Sequence, residues 1–149
     1  MSATIAITNQ KGGVGKTTTA AALLCAFHQQ GKRVLGVDLD PQGSLGFSLG
    51  LDIERCATIY DALKGQTPIE DVVVQTENGD VLPSNILLSA AELEFNRPGR
   101  EFLLKNQLSK IADRYDYIII DTPPALNVLT VNAYVCADAL IIPMAPEIL

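Results

Sequence analysis

The sequence predicts a three-layer α/β/α domain built around a mostly parallel sheet. Strand and helix patterns alternate along the chain, the strand patterns are runs of apolar residues, and a glycine-rich loop joins the first strand to the first helix. Continuous apolar runs are typical of strands that helices cover on both faces. Short connections between alternating elements favour parallel strands joined by right-handed crossovers.

The first elements are a strand, a helix and a second strand. Residues 4–8 are apolar enough for a buried strand, and Thr17–Gln30 is predicted as a helix. Apolar residues recur at helical spacing between Ala20 and Phe27, and Gly31 is placed to end the helix. The next strand is predicted over Arg33–Asp38, which completes one β-loop-α-β unit.

The remaining elements are predicted from shorter patterns. In the less regular middle of the chain we expect a helix over 58–64, strands over 71–74 and 79–82, and a short helix that starts at Ser89 with Glu92 as its capping-box partner. In the last third of the chain, the residue patterns predict a helix over 99–114, a strand over 115–121, a helix over 127–136 and a strand over 139–143.

Composition limits the kind of protein. The 149 residues suit about one globular domain, with 48% hydrophobic and 19% charged residues. A net charge of −6 with scattered basic residues argues against a nucleic-acid surface within this chain. The three cysteines fit neither a zinc site nor a disulfide framework and indicate a reducing cytosol. No apolar run is long enough for a signal peptide or a membrane span.

The glycine-rich loop carries the clearest chemical signal. Residues 9–18 read Asn-Gln-Lys-Gly-Gly-Val-Gly-Lys-Thr-Thr. Such a loop turns successive backbone amides toward a phosphate at the positive end of the following helix. Lys16 would reach the β- and γ-phosphates of a nucleotide, and the Thr17 hydroxyl would bind Mg²⁺. A glycine-rich turn without a ligand is the alternative, but the strand before it and the helix after it favour the phosphate loop.

Two apolar strands end in aspartates that could bind a metal. Asp121 follows four apolar residues and is a candidate for Mg²⁺ binding, through a water, rather than a simple turn cap. Asp38 and Asp40 follow the other strand, and alternation along it would aim both side chains the same way. Asp38 is equally suited to supporting the metal or to hydrogen bonding within the loop.

The segment Lys11–Thr18 resembles the deviant Walker A motif of the ParA/Soj partition ATPases, MinD, the nitrogenase iron protein and the arsenite-pump ATPases. Gln10 stands where the ordinary motif has its first glycine, and Lys11 matches the extra signature lysine. The resemblance implies a P-loop NTPase-like fold with bound ATP or ADP and Mg²⁺. By that resemblance the nucleotide-binding residues are Lys11, Gly12, Gly13, Val14, Gly15, Lys16, Thr17 and Thr18.

Residues 37–43 resemble the Walker A′ or switch I segment, and Asp121 resembles the Walker B aspartate. The resemblance implies that Lys11, Lys16 and Asp40 serve catalysis, with Asp40 placing or activating the attacking water. Segments around 82–93 and 121–133 are closer to ParA/Soj proteins than to MinD.

A ParA/Soj protein is a slow, partner-stimulated ATPase that acts in plasmid or chromosome partition. This resemblance implies a homodimer formed on ATP, with Lys11 crossing to the other subunit's nucleotide. It also implies an activating ParB-like protein, a cytoplasmic location with the nucleoid or a plasmid, and nonspecific DNA binding through residues outside this chain.

Other functions remain open at this stage. A MinD-like membrane-positioning ATPase, an enzyme such as an ATP-dependent ligase or a cluster-bearing reductase, and a nucleotide-binding module without turnover use the same loop. Cys136 lacks the glycine-rich surroundings of a cluster ligand and is expected to be a core thiol, and His28 is expected at the surface. Proteins of this type continue for about another hundred residues. We therefore expect one domain over 1–149, a sheet incomplete at its C-terminal edge, and a fragment that associates to cover that edge.

Overall fold

The structure, a computed structural model, describes residues 2–8 and 15–143. Within these residues six strands form one sheet in the order β3-β4-β2-β5-β1-β6. The strands are β1 (Ala3–Ile7), β2 (Val34–Asp38), β3 (Val74–Thr76), β4 (Gly79–Leu82), β5 (Tyr117–Asp121) and β6 (Ala139–Ile141). Neighbouring strands are parallel except for the β3–β4 hairpin, which confirms the predicted mostly parallel sheet.

Helices of the described residues connect the strands. They are α1 (Lys16–Gln29), α2 (Ser44–Ser48), α3 (Ile59–Leu63), α4 (Ile69–Val72), α5 (Ala91–Glu94), α6 (Leu103–Leu108) and α7 (Val128–Cys136). Short 3₁₀ turns cover Ile86–Ala90, Arg100–Phe102 and Ala112–Arg114. In the part of the chain that the structure describes, no helix is long and apolar enough to cross a membrane.

Helices cover both faces of the sheet, as the three-layer prediction requires. Successive residues of a strand point to opposite faces, and β5 shows the consequence. Ile119 packs in one apolar cluster with Ala20 of α1 and Leu45 of α2. Ile118 and Ile120 belong to the larger cluster on the other face, which includes residues of α3, α6 and α7. Burying each of these side chains contributes about 1.5–3 kcal/mol to folding.

The strand predicted over 71–74 is wrong in its first half. Ile69–Val72 is a helical turn, and the strand begins only at Val74. Pro68 stands at the N-cap, and Ile69 and Val72, three residues apart, are both buried. A run this short contains the spacing of a helix as well as that of a strand, and burial of those two side chains favours the helix.

The capping box predicted for Ser89 and Glu92 is also wrong. The turn begins earlier, where the Asn85 side chain accepts a hydrogen bond from the Leu87 amide. The Ser89 hydroxyl donates instead to the Ile86 carbonyl, and Glu92 bonds to another helix. The Asn85 side chain thereby replaces Ser89 as the cap of this segment.

The single helix predicted over 99–114 is divided into a 3₁₀ turn, α6 and a second 3₁₀ turn. Asn132 of α7 causes the first division. Its Oδ1 accepts a hydrogen bond from the Leu104 amide at 3.0 Å, and its Nδ2 donates to the Arg100 carbonyl at 2.9 Å. Those two backbone groups would bond to each other in a continuous α-helix, so the inserted amide replaces a helical bond. Leu104, Leu108 and Ile111, which recur at helical spacing in this segment, are all buried.

Candidate functional site

Helix α1 starts directly after the glycine-rich loop. Gly15 stands at its N-cap with a φ of 80°, and no side chain of the described residues caps the helix. The first turn contains no acidic residue. Its unpaired amides and the helix dipole give this end a partial positive charge. The start of α1 is therefore suited to a phosphate, as the sequence predicts.

Parallel pairing brings the two predicted carboxylates together. Asp38 and Asp121 are register partners at the ends of β2 and β5, and Ile7 of β1 lies opposite Asp121 on the other side. Both aspartates are completely buried. The carboxyl ends of three strands therefore meet beside the start of α1, which is the edge where α/β sheets bind ligands.

Asp121 is joined to α1 by one of its two carboxylate oxygens. The Thr17 hydroxyl donates a hydrogen bond of 2.7 Å to Oδ2 of Asp121. The other oxygen, Oδ1, is buried and has no hydrogen-bond partner in the part of the chain that the structure describes. A buried, unpartnered carboxylate oxygen is costly, so this geometry favours a bound cation or polar ligand at that point.

The environment of Asp121 also changes its acidity. The pKa of its carboxyl is raised to about 6, chiefly by burial and also by the charge of Asp40. The hydrogen bond from Thr17 and the positive charge of Lys16 oppose this rise. Lys16 itself is only 7% exposed, so its ammonium is held within the site. A cation bound here would favour the ionised carboxylate and release the proton.

Asp38 organises the loop that follows β2. One of its carboxylate oxygens accepts a hydrogen bond from the Asp40 amide at 3.0 Å, and the other accepts from the Leu45 amide at 3.2 Å. Burial raises the pKa of Asp38 well above its ordinary value, and the neighbouring charge of Asp121 adds to the rise. Because both oxygens have amide partners, the geometry favours the loop-supporting alternative for Asp38 over direct metal binding.

Asp40 faces an open cavity of about 410 Å³ next to the start of α1. The loop holds its carboxylate in place, because Oδ1 accepts the Gln42 amide at 3.0 Å. Five predicted site residues line this cavity, four from the phosphate loop together with Asp40. Two further lining residues, Ser44 and Pro124, were not predicted as site residues. The full lining is Gly15, Lys16, Thr17, Thr18, Asp40, Ser44 and Pro124. Lys11, Gly12, Gly13 and Val14, which the motif also assigns to the site, lie outside the described residues.

Gly43 shapes the loop between Asp40 and α2. Its φ is 68°, and a Cβ at this position would lie 2.7 Å from the Ser84 carbonyl oxygen. Only glycine combines that backbone conformation with so close an approach. The Gly43 amide in turn donates to the Asp40 carbonyl at 2.9 Å. Gly43 therefore helps to position Asp40 at the cavity.

The segment after β5 is held by contacts that the sequence analysis did not predict. The Thr122 hydroxyl donates to the Ile7 carbonyl at 2.7 Å. Asn127 caps α7, and Glu92 accepts the Val128 amide at 2.7 Å. An asparagine before an apolar helical pattern is a readable cap signal. Glu92 has no such signal, since its partner lies 36 residues away.

The oxygen donors at this site fit a magnesium ion that takes its remaining ligands from water and phosphate, rather than a metal bound by protein side chains alone. Among the described residues no group of three His, Cys, Asp or Glu side chains could hold a metal. Mg²⁺ in nucleotide sites is bound by one or two protein oxygens, by waters and by the phosphates themselves. Thr17 Oγ1 and the free Oδ1 of Asp121 are oxygens of the required type, placed beside the phosphate-binding end of α1.

His28 and Cys136 play no part in this geometry. His28 is exposed, as expected. Cys136 is partly buried against the larger apolar cluster, and burial raises the pKa of its thiol to about 11. A thiol with so high a pKa is a poor nucleophile and metal ligand at neutral pH.

A parallel sheet whose strands end beside a glycine-rich helix start is the arrangement of the P-loop nucleotide-binding proteins, and this chain has it. The chain belongs to the family described as AAA domain, whose family model matches residues 2–149. It is similar to the sporulation initiation inhibitor protein Soj of Bacillus subtilis, with 47% identity over 96% of the chain and 58% of Soj. Similarity to the chromosome partitioning protein ParA of Caulobacter vibrioides is 46% over 96% of the chain and 56% of ParA. These relatives confirm the predicted ParA/Soj resemblance.

The fold is also similar to a solved structure of cobyrinic acid a,c-diamide synthase from Mycobacterium smegmatis with bound ADP and magnesium. The TM-score is 0.94 and the identity 45%, over 97% of this chain and 60% of that one. A second structure of that protein holds an ATP analogue and magnesium. The chain spans less than two thirds of these proteins.

Proposed function

We propose that this chain carries the nucleotide site of an ATP-hydrolysing molecular switch of the ParA/Soj type. The hydrogen bond from Thr17 to Asp121, at the start of α1, is the observation that carries the proposal, together with Oδ1 of Asp121, which has no partner among the described residues. It provides the protein oxygens for Mg²⁺ where the phosphates of a nucleotide would lie. The ADP, ATP analogue and magnesium in the similar M. smegmatis structures support the same ligands here.

Each residue has a role in this proposal. Lys16 neutralises the β- and γ-phosphates, and the amides of residues 12–18 hold them. Thr17 and Asp121 hold Mg²⁺, which neutralises charge that develops on the phosphates. Asp38 fixes the loop by accepting two backbone amides, and Asp40 orients the attacking water from the rim of the cavity.

The larger assembly follows from the similarity to Soj and ParA. Two subunits would associate on ATP, with Lys11 of each reaching the other's nucleotide. A ParB-like protein would stimulate slow hydrolysis, and the dimer would bind DNA without sequence preference in the cytoplasm, at the nucleoid or a plasmid. The net charge of −6 supports DNA contacts through residues outside this chain.

The name of the M. smegmatis structure supports a second candidate, an ATP-dependent synthase of amides. Both candidates use the same phosphate loop and differ in the acceptor of the γ-phosphoryl group. A switch transfers it to water, so phosphate release needs only ATP and Mg²⁺. A synthase releases phosphate at a useful rate only when its carboxylate substrate and nitrogen donor are present.

Turnover and binding should be measured on the same variants. We expect Lys16→Ala to abolish binding of a fluorescent ADP analogue. Asp40→Ala should keep binding and lower phosphate release about 100-fold, a typical effect of losing a water-positioning group. Asp52→Ala, at an exposed aspartate far from the loop in sequence, is the matched control. Unchanged turnover in Asp40→Ala would refute its role, and binding without any turnover would indicate a nucleotide-binding module.

A further inference from the structure

A second cavity, of about 350 Å³, lies away from the nucleotide site. It is formed where α3 meets the segment between α5 and α6, and none of its lining residues borders the cavity at Asp40. Its volume is in the range of small-molecule pockets. Its lining is Leu63, Lys64, Glu94, Phe95, Arg97, Pro98, Gly99, Arg100 and Leu103.

Three of the lining residues are cationic and one is anionic. These three are among the eleven lysines and arginines of a chain whose net charge is −6. The carboxylate, Glu94, is already engaged: the Tyr60 hydroxyl donates to it at 2.6 Å, and Lys64 Nζ lies 3.6 Å from its Oε2. Glu94 therefore holds Lys64 and Tyr60 in place and leaves the other two cations unneutralised.

The side chains of Arg97 and Arg100 make no hydrogen bond or ion pair within the part of the chain that the structure describes. Arg100 is bonded through its backbone: its amide donates to the Arg97 carbonyl, and its own carbonyl accepts from Asn132 Nδ2. It also borders a neighbouring cavity with Glu92 and Glu101. A guanidinium offers five N–H donors in a planar fork that matches a carboxylate or a phosphate. Both arginines are exposed, so a ligand can reach their guanidinium groups, which have no side-chain partner among the described residues.

The rest of the lining is apolar. Leu63 is buried, whereas Phe95 and Leu103 pack against the core and remain partly open to the cavity. Phe95 lies 6.4 Å from the Tyr60 ring, measured between ring centroids, which fixes this wall. An apolar wall below charged groups suits a ligand with an uncharged ring or chain and one anionic end.

We propose that this cavity binds a small organic anion, a phosphate or carboxylate carried on an aromatic or apolar body. Arg97 and Arg100 pair with the anionic group, Lys64 adds its charge from the other side, and the apolar part lies against Phe95 and Leu103. The site is separate from the nucleotide loop, so the protein can hold both ligands at once.

Phenyl phosphate is a suitable probe, followed by ¹H–¹⁵N NMR of the full chain saturated with ADP and Mg²⁺. Nucleotide saturation keeps the probe off the phosphate loop. We expect saturable shifts at Lys64 and over residues 95–103. Inorganic phosphate and benzyl alcohol, which carry only one half of the ligand chemistry, should each bind at least about tenfold more weakly.

Removal of one guanidinium group tests the site directly. Arg97→Gln should weaken phenyl phosphate about tenfold, the effect of one lost charged hydrogen bond. Because the Arg97 side chain has no partner among the described residues, folding should be unaffected. Arg55→Gln, at an exposed arginine elsewhere, is the matched control and should change nothing. Absence of saturable shifts, or binding that Arg97→Gln leaves unchanged, would overturn the proposal. Shifts confined to Gly15–Thr18 would do so as well and would separately show that ADP does not occupy its loop.

Discussion

Asp121→Asn should make the ligand-free chain more stable while removing its response to magnesium. The pKa of the wild-type carboxyl is raised to about 6 from 3.8, so the folded state binds more protons than the unfolded state between these values. Stability contributed by this group therefore falls as the pH rises through that window. Ionising it at pH 7 costs the folded chain about 3 kcal/mol, and at pH 5 about 1.6 kcal/mol.

The asparagine cancels this cost but has a smaller one of its own. Its oxygen can accept the Thr17 hydroxyl, while its NH₂ group takes the place of the unpartnered Oδ1 at a cost of about 1 kcal/mol. The net gain is then about 2 kcal/mol at pH 7 and is about 1.3 kcal/mol smaller at pH 5. The difference between the two pH values does not depend on the cost of burying the asparagine NH₂ group, because that cost is the same at both.

Urea unfolding without nucleotide or Mg²⁺, at pH 7 and pH 5, measures both quantities. Asp113→Asn, at an exposed aspartate, is the matched control and should change stability little at either pH. Mg²⁺ added to the ADP-saturated chain should stabilise the wild type further and should fail to do so in Asp121→Asn. An equal gain at both pH values, or a loss of stability at pH 7, would show that ionisation of the buried Asp121 carboxyl does not destabilise the folded chain.

Two further substitutions test the supports of the site. Glu92→Ala should lower the free energy of unfolding by about 1–2 kcal/mol in urea, because the Val128 amide loses its acceptor. Glu92→Gln keeps an acceptor oxygen and should recover most of that loss; equal losses would assign the effect to packing. Gly43→Ala should cost about 1–3 kcal/mol in thermal unfolding and slow phosphate release, since the left-handed φ and the Ser84 carbonyl both exclude a Cβ. A wild-type melting curve for Gly43→Ala would refute that reasoning.

The sequence could predict the elements whose patterns are long or chemically marked. The helix after Lys16 and the strand ending at Asp121 combine clear periodicity with a motif, and both were found close to the predicted bounds. Residues 71 and 72 were misassigned to a strand because so short a run fits two periods, and tertiary burial decides between them.

Site residues were predictable where the motif itself implies a partner and unpredictable where the partner is remote. Thr17 and Asp121 are 104 residues apart, but the phosphate loop and the strand-end aspartate each point to magnesium. The division of helix 99–114 depends on the Asn132 side chain, and nothing in that segment signals it. The sequence left open whether Asp38 supports the metal or the loop. Its hydrogen bonds from two backbone amides favour the loop.

The strand order has a consequence for synthesis on the ribosome. β1 and β2 are made first, yet they do not touch in the sheet, because β5 lies between them. The hydrogen bond from Thr122 to Ile7 spans 115 residues. A nascent chain whose β5 is still inside the ribosome therefore has an unfinished sheet centre and only one of the two oxygen donors, Thr17 Oγ1, that we propose for Mg²⁺. Long-range pairing of this kind is slow to form. Under the proposed function, nucleotide capture should begin abruptly during translation, once Asp121 has left the exit tunnel and β5 can pair between β1 and β2, so that ligand binding reports a completed sheet centre.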